Sequence, residues 1–226
     1  MIRRLALVAV LTLTACTNQP ATPSPAPSPT PTVHPLTVAQ ATKAALRLAD
    51  LPKGWDGGVA EDPTPRRPTV TPAPDRAEYE PAECRAVVGS PMTGLGVPAT
   101  AVRGQYFVRE PLQSITELIY SWPTTQVPLV ERVADALPRC TRVTVLSSVR
   151  TKFSITAKQV RVPGLEDGIV VRTQFTENDT RNSTFTGYDA VVVRGGAVLW
   201  LSTGAMTETA FTQLLTKAVA RLDAVS

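Results

Sequence analysis

The period of polar and apolar positions changes along this chain, and the changes mark out its elements. Val38, Ala41, Ala45 and Leu48 recur at helical spacing behind Thr37 and Gln40, whose side chains can cap each other's backbone N–H groups. That pattern predicts a first helix ending near Asp50. From residue 102 onward the period shortens to two. Residues 102–109 and 112–122 read as strands joined at Glu110-Pro111. In the second, Thr116, Leu118, Tyr120 and Trp122 take one face and Ile115, Glu117 and Ile119 the other. Val130, Val133, Ala134 and Leu137 then line one side of a helix that starts at Thr124 or Thr125 and stops by Pro138.

Further strands are predicted at residues 141–148, 153–162, 168–177 and 186–194. A last strand, 197–203, pairs with its predecessor across Gly195-Gly196, where glycine permits the positive φ of a two-residue hairpin loop. Thr207 caps a final helix with Phe211, Leu214, Leu215, Ala218, Val219 and Leu222 on one side. Helices at the start, middle and end of hairpin-linked strands define an α+β class. The expected architecture is a curved antiparallel sheet of about six strands with helices packed on one face.

Three stretches follow neither period. Residues 61–74, EDPTPRRPTVTPAP, hold five prolines and read as a long surface loop, a functional flap or an excursion. A short helix around Pro81 to Val88 follows and carries Cys84. Thr17 to Pro35 is mostly proline, threonine, serine and alanine, too poor in apolar side chains to bury a core. Such a composition favours polyproline II at roughly 3.1 Å per residue, so residues 16–35 form a semi-rigid tether whose threonines could carry O-linked sugars. Residues 36–226 are then one globular domain, long enough for a substantial core.

The third stretch opens the chain. Arg3 and Arg4 precede the apolar run Leu5 to Leu13, and small residues precede Cys16, the grammar of an export signal. The run falls far short of the roughly 20 apolar residues that span a bilayer. Leu13-Thr14-Ala15-Cys16 resembles the lipobox of bacterial lipoproteins, in which the cysteine takes a diacylglycerol and the signal, here residues 1–15, is removed. An ordinary secretory signal with an incidental cysteine is the alternative. A diacylated Cys16 supplies the two chains that stable anchoring needs, so the expected location is the extracytoplasmic face of the cell membrane, held by lipid.

Loss of the signal removes Arg3 and Arg4 and lowers the formal charge from +4 to +2, too weak a balance to argue for nucleic acid. It also leaves Cys84 and Cys140 as an even pair in an oxidising compartment, where a disulfide is the expected state. Two free buried thiols would require a reducing compartment.

Candidate chemistry is sparse. The sole histidine, His34, lies in the tether, which removes the base of a Ser-His-Asp triad and weakens any metal site. Ser154 beside Lys152 or Lys158 carries no surrounding motif and reads as strand surface. Glycoside hydrolysis needs two carboxyl groups about 5 to 9 Å apart, and the candidates are Glu61 with Asp62 and Glu166 with Asp167. The second pair adjoins Gly168 and reads as a turn. Glu177-Asn178-Asp179 is too thin a ligand set for calcium. No catalytic, metal-binding or cofactor-binding residue is assigned.

Leu46 to Trp55, LRLADLPKGW, looks like the opening of actinobacterial sensor-domain lipoproteins. Pro81 to Gly89, PAECRAVVG, and Ala134 to Thr141, ADALPRCT, resemble their two cysteine segments. These proteins are similar to the extracellular domain of the mycobacterial serine/threonine kinase PknH. The resemblance implies an antiparallel sheet with helices and a solvent-filled cleft for a ligand. That family domain has two disulfides, whereas this chain can form one in its domain.

The function expected is a non-enzymatic, membrane-anchored envelope lipoprotein whose domain binds a small-molecule or lipid ligand or an envelope protein partner. A structural subunit of an envelope complex, or an envelope hydrolase, is the alternative. Trp55 is expected to cover the end of the sheet. Tyr120 and Trp122 are the candidate ligand-binding pair, although strand aromatics more often fill core.

Overall fold

The computed structural model describes residues 34–59, 77–92, 99–123, 128–146, 152–177 and 183–226. In chain order these form helix α1 (Val38–Ala44), strands β1 (Asp56–Val59) and β2 (Glu78–Glu80), and helix α2 (Arg85–Val88). The hairpin β3 (Ala101–Arg109) and β4 (Gln113–Ser121) follows, then helix α3 (Leu129–Ala136). A meander of β5 (Arg142–Leu146), β6 (Lys152–Val160), β7 (Gly168–Glu177), β8 (Thr184–Arg194) and β9 (Ala197–Gly204) leads into helix α4 (Glu208–Asp223). All described strands form one open antiparallel sheet in the order β1-β3-β4-β9-β8-β7-β6-β5-β2. Pairing of β4 with β9 joins the early hairpin to the late meander.

The class is α+β as expected, but the sheet has nine described strands where about six were expected: the seven segments read as strands above and two more. The unexpected β1 and β2 are edge strands, Asp-Gly-Gly-Val and Glu-Tyr-Glu, too short and too rich in glycine and charge to show a period of two. Glutamates on the outermost strand also discourage pairing with another chain. The β8–β9 turn is as predicted: Arg194 pairs with Ala197 across it, and Gly195 takes a φ of +54°.

A second difference concerns the layers. Helices cover both faces of the sheet, not one. Helices α1 and α4 pack with Phe107, Ile115, Ile119, Ala190, Val192, Leu199 and Leu201 in one core. Helices α2 and α3 pack with Val102, Tyr120, Trp122, Val171, Val191 and Val198 in the other. The physical reason lies in the central strands. Ala190 to Val192 and Ala197 to Leu199 are apolar at every position, the mark of strands buried on both sides. Local period places each helix's apolar stripe but leaves open which face receives it.

The first helix is shorter than its pattern. Its capping box forms as expected, with Gln40 N–H donating to Thr37 Oγ1 at 3.2 Å and Thr37 N–H to Gln40 Oε1 at 2.9 Å. At Ala45 the chain turns extended, because tertiary partners take the backbone groups that a longer helix would use. Leu46 N–H donates to Glu117 Oε2 on β4 at 2.8 Å. The Arg221 guanidinium on α4 donates to the carbonyls of Lys43, Ala44 and Ala45 at 2.7 to 3.2 Å. A single 3₁₀ turn, Leu48–Asp50, then redirects the chain along the sheet.

Cys84 and Cys140 are bonded, with Cα atoms 5.4 Å apart, and both lie fully buried in the second core. The bond ties the short α2 segment to the end of α3. No helix among the described residues is long and apolar enough to cross a membrane.

Candidate functional site

The segment that ends α1 builds the molecule's candidate site. After the 3₁₀ turn, Leu51 runs extended and Gly54 turns the chain with a φ of +94°. A Cβ built on Gly54 would lie 3.6 Å from Arg109 Nε, so the Arg109 side chain lies alongside this turn. The turn brings Trp55 under the sheet edge, where it is nearly buried. Ala49, Asp50, Leu51, Pro52 and Trp55 thereby form one wall of a groove of about 440 Å³.

The other walls come from distant parts of the chain. Arg109, Gln113 and Ile115 are contributed by β3 and β4, and Met206, Ala210, Gln213, Leu214 and Lys217 by the start and one side of α4. The floor is apolar: Trp55, Ile115, Met206 and Leu214 are each less than a tenth exposed. Gln113 holds the approach to α4 in place by donating to the Ala205 carbonyl at 3.1 Å, where Ala205 takes a φ of +51°. The Thr207 hydroxyl accepts the Ala210 N–H at 3.3 Å and starts the helix at the groove's rim. A volume of this size, with an apolar floor and few polar groups, lies in the range of small-molecule sites, roughly 300–1,000 Å³.

The charges on the rim are unequally compensated. Asp50 Oδ2 accepts the Arg47 N–H at 2.8 Å and lies 3.4 Å from Arg221 Nη1, so its charge is met from behind the groove. Lys217 Nζ donates to the Asp50 carbonyl. Arg109 is exposed and makes no ion pair among the described residues. The groove therefore presents net positive charge above an apolar floor.

Directly behind the same wall lies Glu117, fully buried on the α1 and α4 face. One oxygen holds the Leu46 N–H, and the other, Oε1, has no hydrogen-bond partner among the described residues. Burial pushes its carboxyl up to about 8, against the lowering influence of the Leu46 N–H and Arg221; Asp50 raises it further. A second perturbed acid, Asp189, projects from β8 toward the α2 and α3 face. The residue is partly exposed, yet burial around its carboxyl raises it to about 7, against the lowering influence of the Ser202 hydroxyl.

The residues singled out from sequence are distributed otherwise. Tyr120 and Trp122 share a face and stack with ring centroids 5.6 Å apart, but both are buried in the second core and neither lines the groove. Burial pushes the Tyr120 hydroxyl up to about 12. Lys152 and Lys158 are exposed along β6, with Ser154 between them. Glu166 and Asp167 occupy an exposed turn, where Asp167 lies 3.5 Å from Arg194. Cys16, most of the tether, Glu61, Asp62, Asn178 and Asp179 lie outside the described residues.

Sequence reasoning missed the groove residues on β3, β4 and α4. Its one signal was LRLADLPKGW, from which Asp50, Leu51, Pro52 and Trp55 all reach the groove.

No protein-family model matches the chain, and no curated protein matches it. Solved structures that share its fold include two mycobacterial proteins. The extracellular domain of PknH from Mycobacterium tuberculosis superposes with a TM-score of 0.62 at 14% identity, covering 84% of this chain and 98% of that domain. The Rv0999 ortholog from Mycobacterium smegmatis gives a TM-score of 0.50 at 17% identity, covering 85% of this chain and 98% of its own. At these identities the likeness is one of fold.

Proposed function

We propose that this chain is a lipid-anchored, extracytoplasmic ligand-binding protein of the bacterial envelope, and that the groove beside α4 is its binding site. The observation that carries the reading is the groove itself, an apolar floor beneath a cationic rim, one wall of which is the LRLADLPKGW segment. The fold likeness to an extracellular kinase domain and the buried disulfide support an extracytoplasmic place. This chain would act by occupancy of its groove, passing any signal to a partner protein.

The site is tested by filling it. Ala210 is a small, exposed residue on the groove side of α4, so Ala210→Trp projects an indole into the groove, over its apolar floor, without replacing a buried side chain. Native mass spectrometry of the domain released from its own envelope is expected to show a bound small molecule, reduced at least about tenfold in the Ala210→Trp protein. Stability should change by no more than about 0.5 kcal/mol, as for other surface substitutions. An unliganded wild-type domain, or equal loading of the variant, overturns the assignment.

The anchor has a separate test. Cys16→Ser is expected to release the domain to the soluble fraction or leave an unprocessed precursor. Unchanged membrane retention of a processed chain defeats it.

A further inference from the structure

Resting on the groove as the binding site, we infer that its ligand is an anionic amphiphile, a single apolar chain ending in a carboxylate or phosphate, and that Arg109 is the residue that selects the charge. The inference follows from how the groove divides its polar and apolar surface. Trp55, Ile115, Met206 and Leu214 supply a continuous apolar floor with no charged group among them, which suits a hydrocarbon chain.

The rim is cationic and only partly satisfied. The acid that lines it, Asp50, has its charge offset by the Arg47 N–H and by Arg221 behind the wall, both at Oδ2, and it is outnumbered on the rim by Arg109 and Lys217. Lys217 is occupied by the Asp50 carbonyl, a neutral acceptor that leaves its charge uncancelled. Arg109 stands over the Gly54 turn with its guanidinium unpaired among the described residues. A planar fork of donors matches carboxylate or phosphate oxygens and gains a charge-assisted bond from either. Glu110 follows Arg109 in sequence but does not line the groove.

A neighbouring feature points the same way. Leu112, at the β3–β4 turn between the groove residues Arg109 and Gln113, is 71% exposed. Three positions after Arg109 in the same turn, it offers an apolar side chain that a bound acyl chain could contact.

The experiment uses the folded domain and four probes of equal chain length, titrated calorimetrically below their micellar thresholds: dodecanoate, dodecyl phosphate, dodecanol and dodecyltrimethylammonium. Inorganic phosphate alone is the fifth. Dodecanoate or dodecyl phosphate is expected to bind at least about tenfold tighter than dodecanol, the lower range of a charge-assisted hydrogen bond at a partly open site. The two anions tell a carboxylate head from a phosphate head. Arg109→Gln should remove that advantage and leave dodecanol affinity unchanged, and Arg109→Glu should reverse the order in favour of the ammonium probe. Arg109 is exposed, so both variants should fold, which circular dichroism checks.

Equal affinity for dodecanol and the anions overturns the inference, as does a parallel loss for every probe in Arg109→Gln. Tight binding of inorganic phosphate alone overturns the amphiphile class. If no probe binds while Ala210→Trp still sheds the native molecule, the ligand class falls and the groove stands. If the native molecule also stays, the groove falls with it.

Discussion

Raising the pH from 5 to 9 is expected to cost the domain several kcal/mol of unfolding free energy, with most of the loss between pH 5 and 8. The cause is Glu117. Its carboxyl titrates at about 8 in the fold against an ordinary value of 4.5. Between those values the folded chain holds a proton that the unfolded chain has released, so stability falls as pH rises. The stabilising contribution is therefore complete below the ordinary value, is lost progressively as pH rises through about 8, and then levels off. Each pH unit of displacement corresponds to about 1.4 kcal/mol, which makes this a large effect on a domain of ordinary stability. Asp189 acts with the same sign in a lower window that ends near 7.

Glu117→Gln separates the two acids. The amide oxygen can still accept the Leu46 N–H, and the amide remains neutral at every pH, as the buried carboxylic acid is below 8. Urea midpoints measured at pH 5, 7 and 9 should coincide for wild type and variant at the lowest pH. They should diverge in favour of the variant at the highest. Any residual slope that disappears on adding Asp189→Asn belongs to the second acid. A wild-type profile that is flat from pH 5 to 9 would show that Glu117 titrates normally and that its surroundings are wetter than the structure has them.

Glu117 also shows how far the sequence could be read. Alternation along β4 placed it with Ile115 and Ile119, and there it lies, a carboxyl group on an apolar face. That was a signal of a buried acid, but it needed its partner, the Leu46 N–H, which lies 71 residues away. The hairpins, the α4 stripe and the Thr37 cap were legible because their determinants are neighbours in sequence.

The groove was not legible, because its walls come from residues 49–55, 109–115 and 206–217, and only folding brings them together. Tyr120 and Trp122 illustrate the same boundary. Their common face followed from the period, whereas its burial under α2 and α3 depended on which side of the sheet those helices chose. An aromatic pair on a strand reports a face, and the layer above decides whether that face is core or site.

That layer also depends on a covalent tie, so removing the disulfide is expected to have a large effect on stability. Helix α2 has only the four residues Arg85–Val88, too short to persist without tertiary support. It is held to the second core by Val87, Val88 and the bond from Cys84 to Cys140. The bond spans a sequence separation of 56, and closing a loop of that length removes about 4 kcal/mol of unfolded-state entropy. Cys84→Ala with Cys140→Ala should therefore lower stability by about 4 kcal/mol. For a domain of this size that is a fall of roughly 8 to 16 °C in melting temperature. Alanine is the better test than serine, since both positions are fully buried and a hydroxyl would add its own desolvation cost. The groove lies on the opposite face, against α4, and shares no residue with the second core. Dodecanoate affinity measured well below the lowered melting temperature should accordingly match that of wild type. A loss of under about 1 kcal/mol would mean that packing alone holds α2 in place. Lost groove binding in a still-folded variant would mean that the two faces of the sheet are coupled through β8 and β9, the strands buried between them.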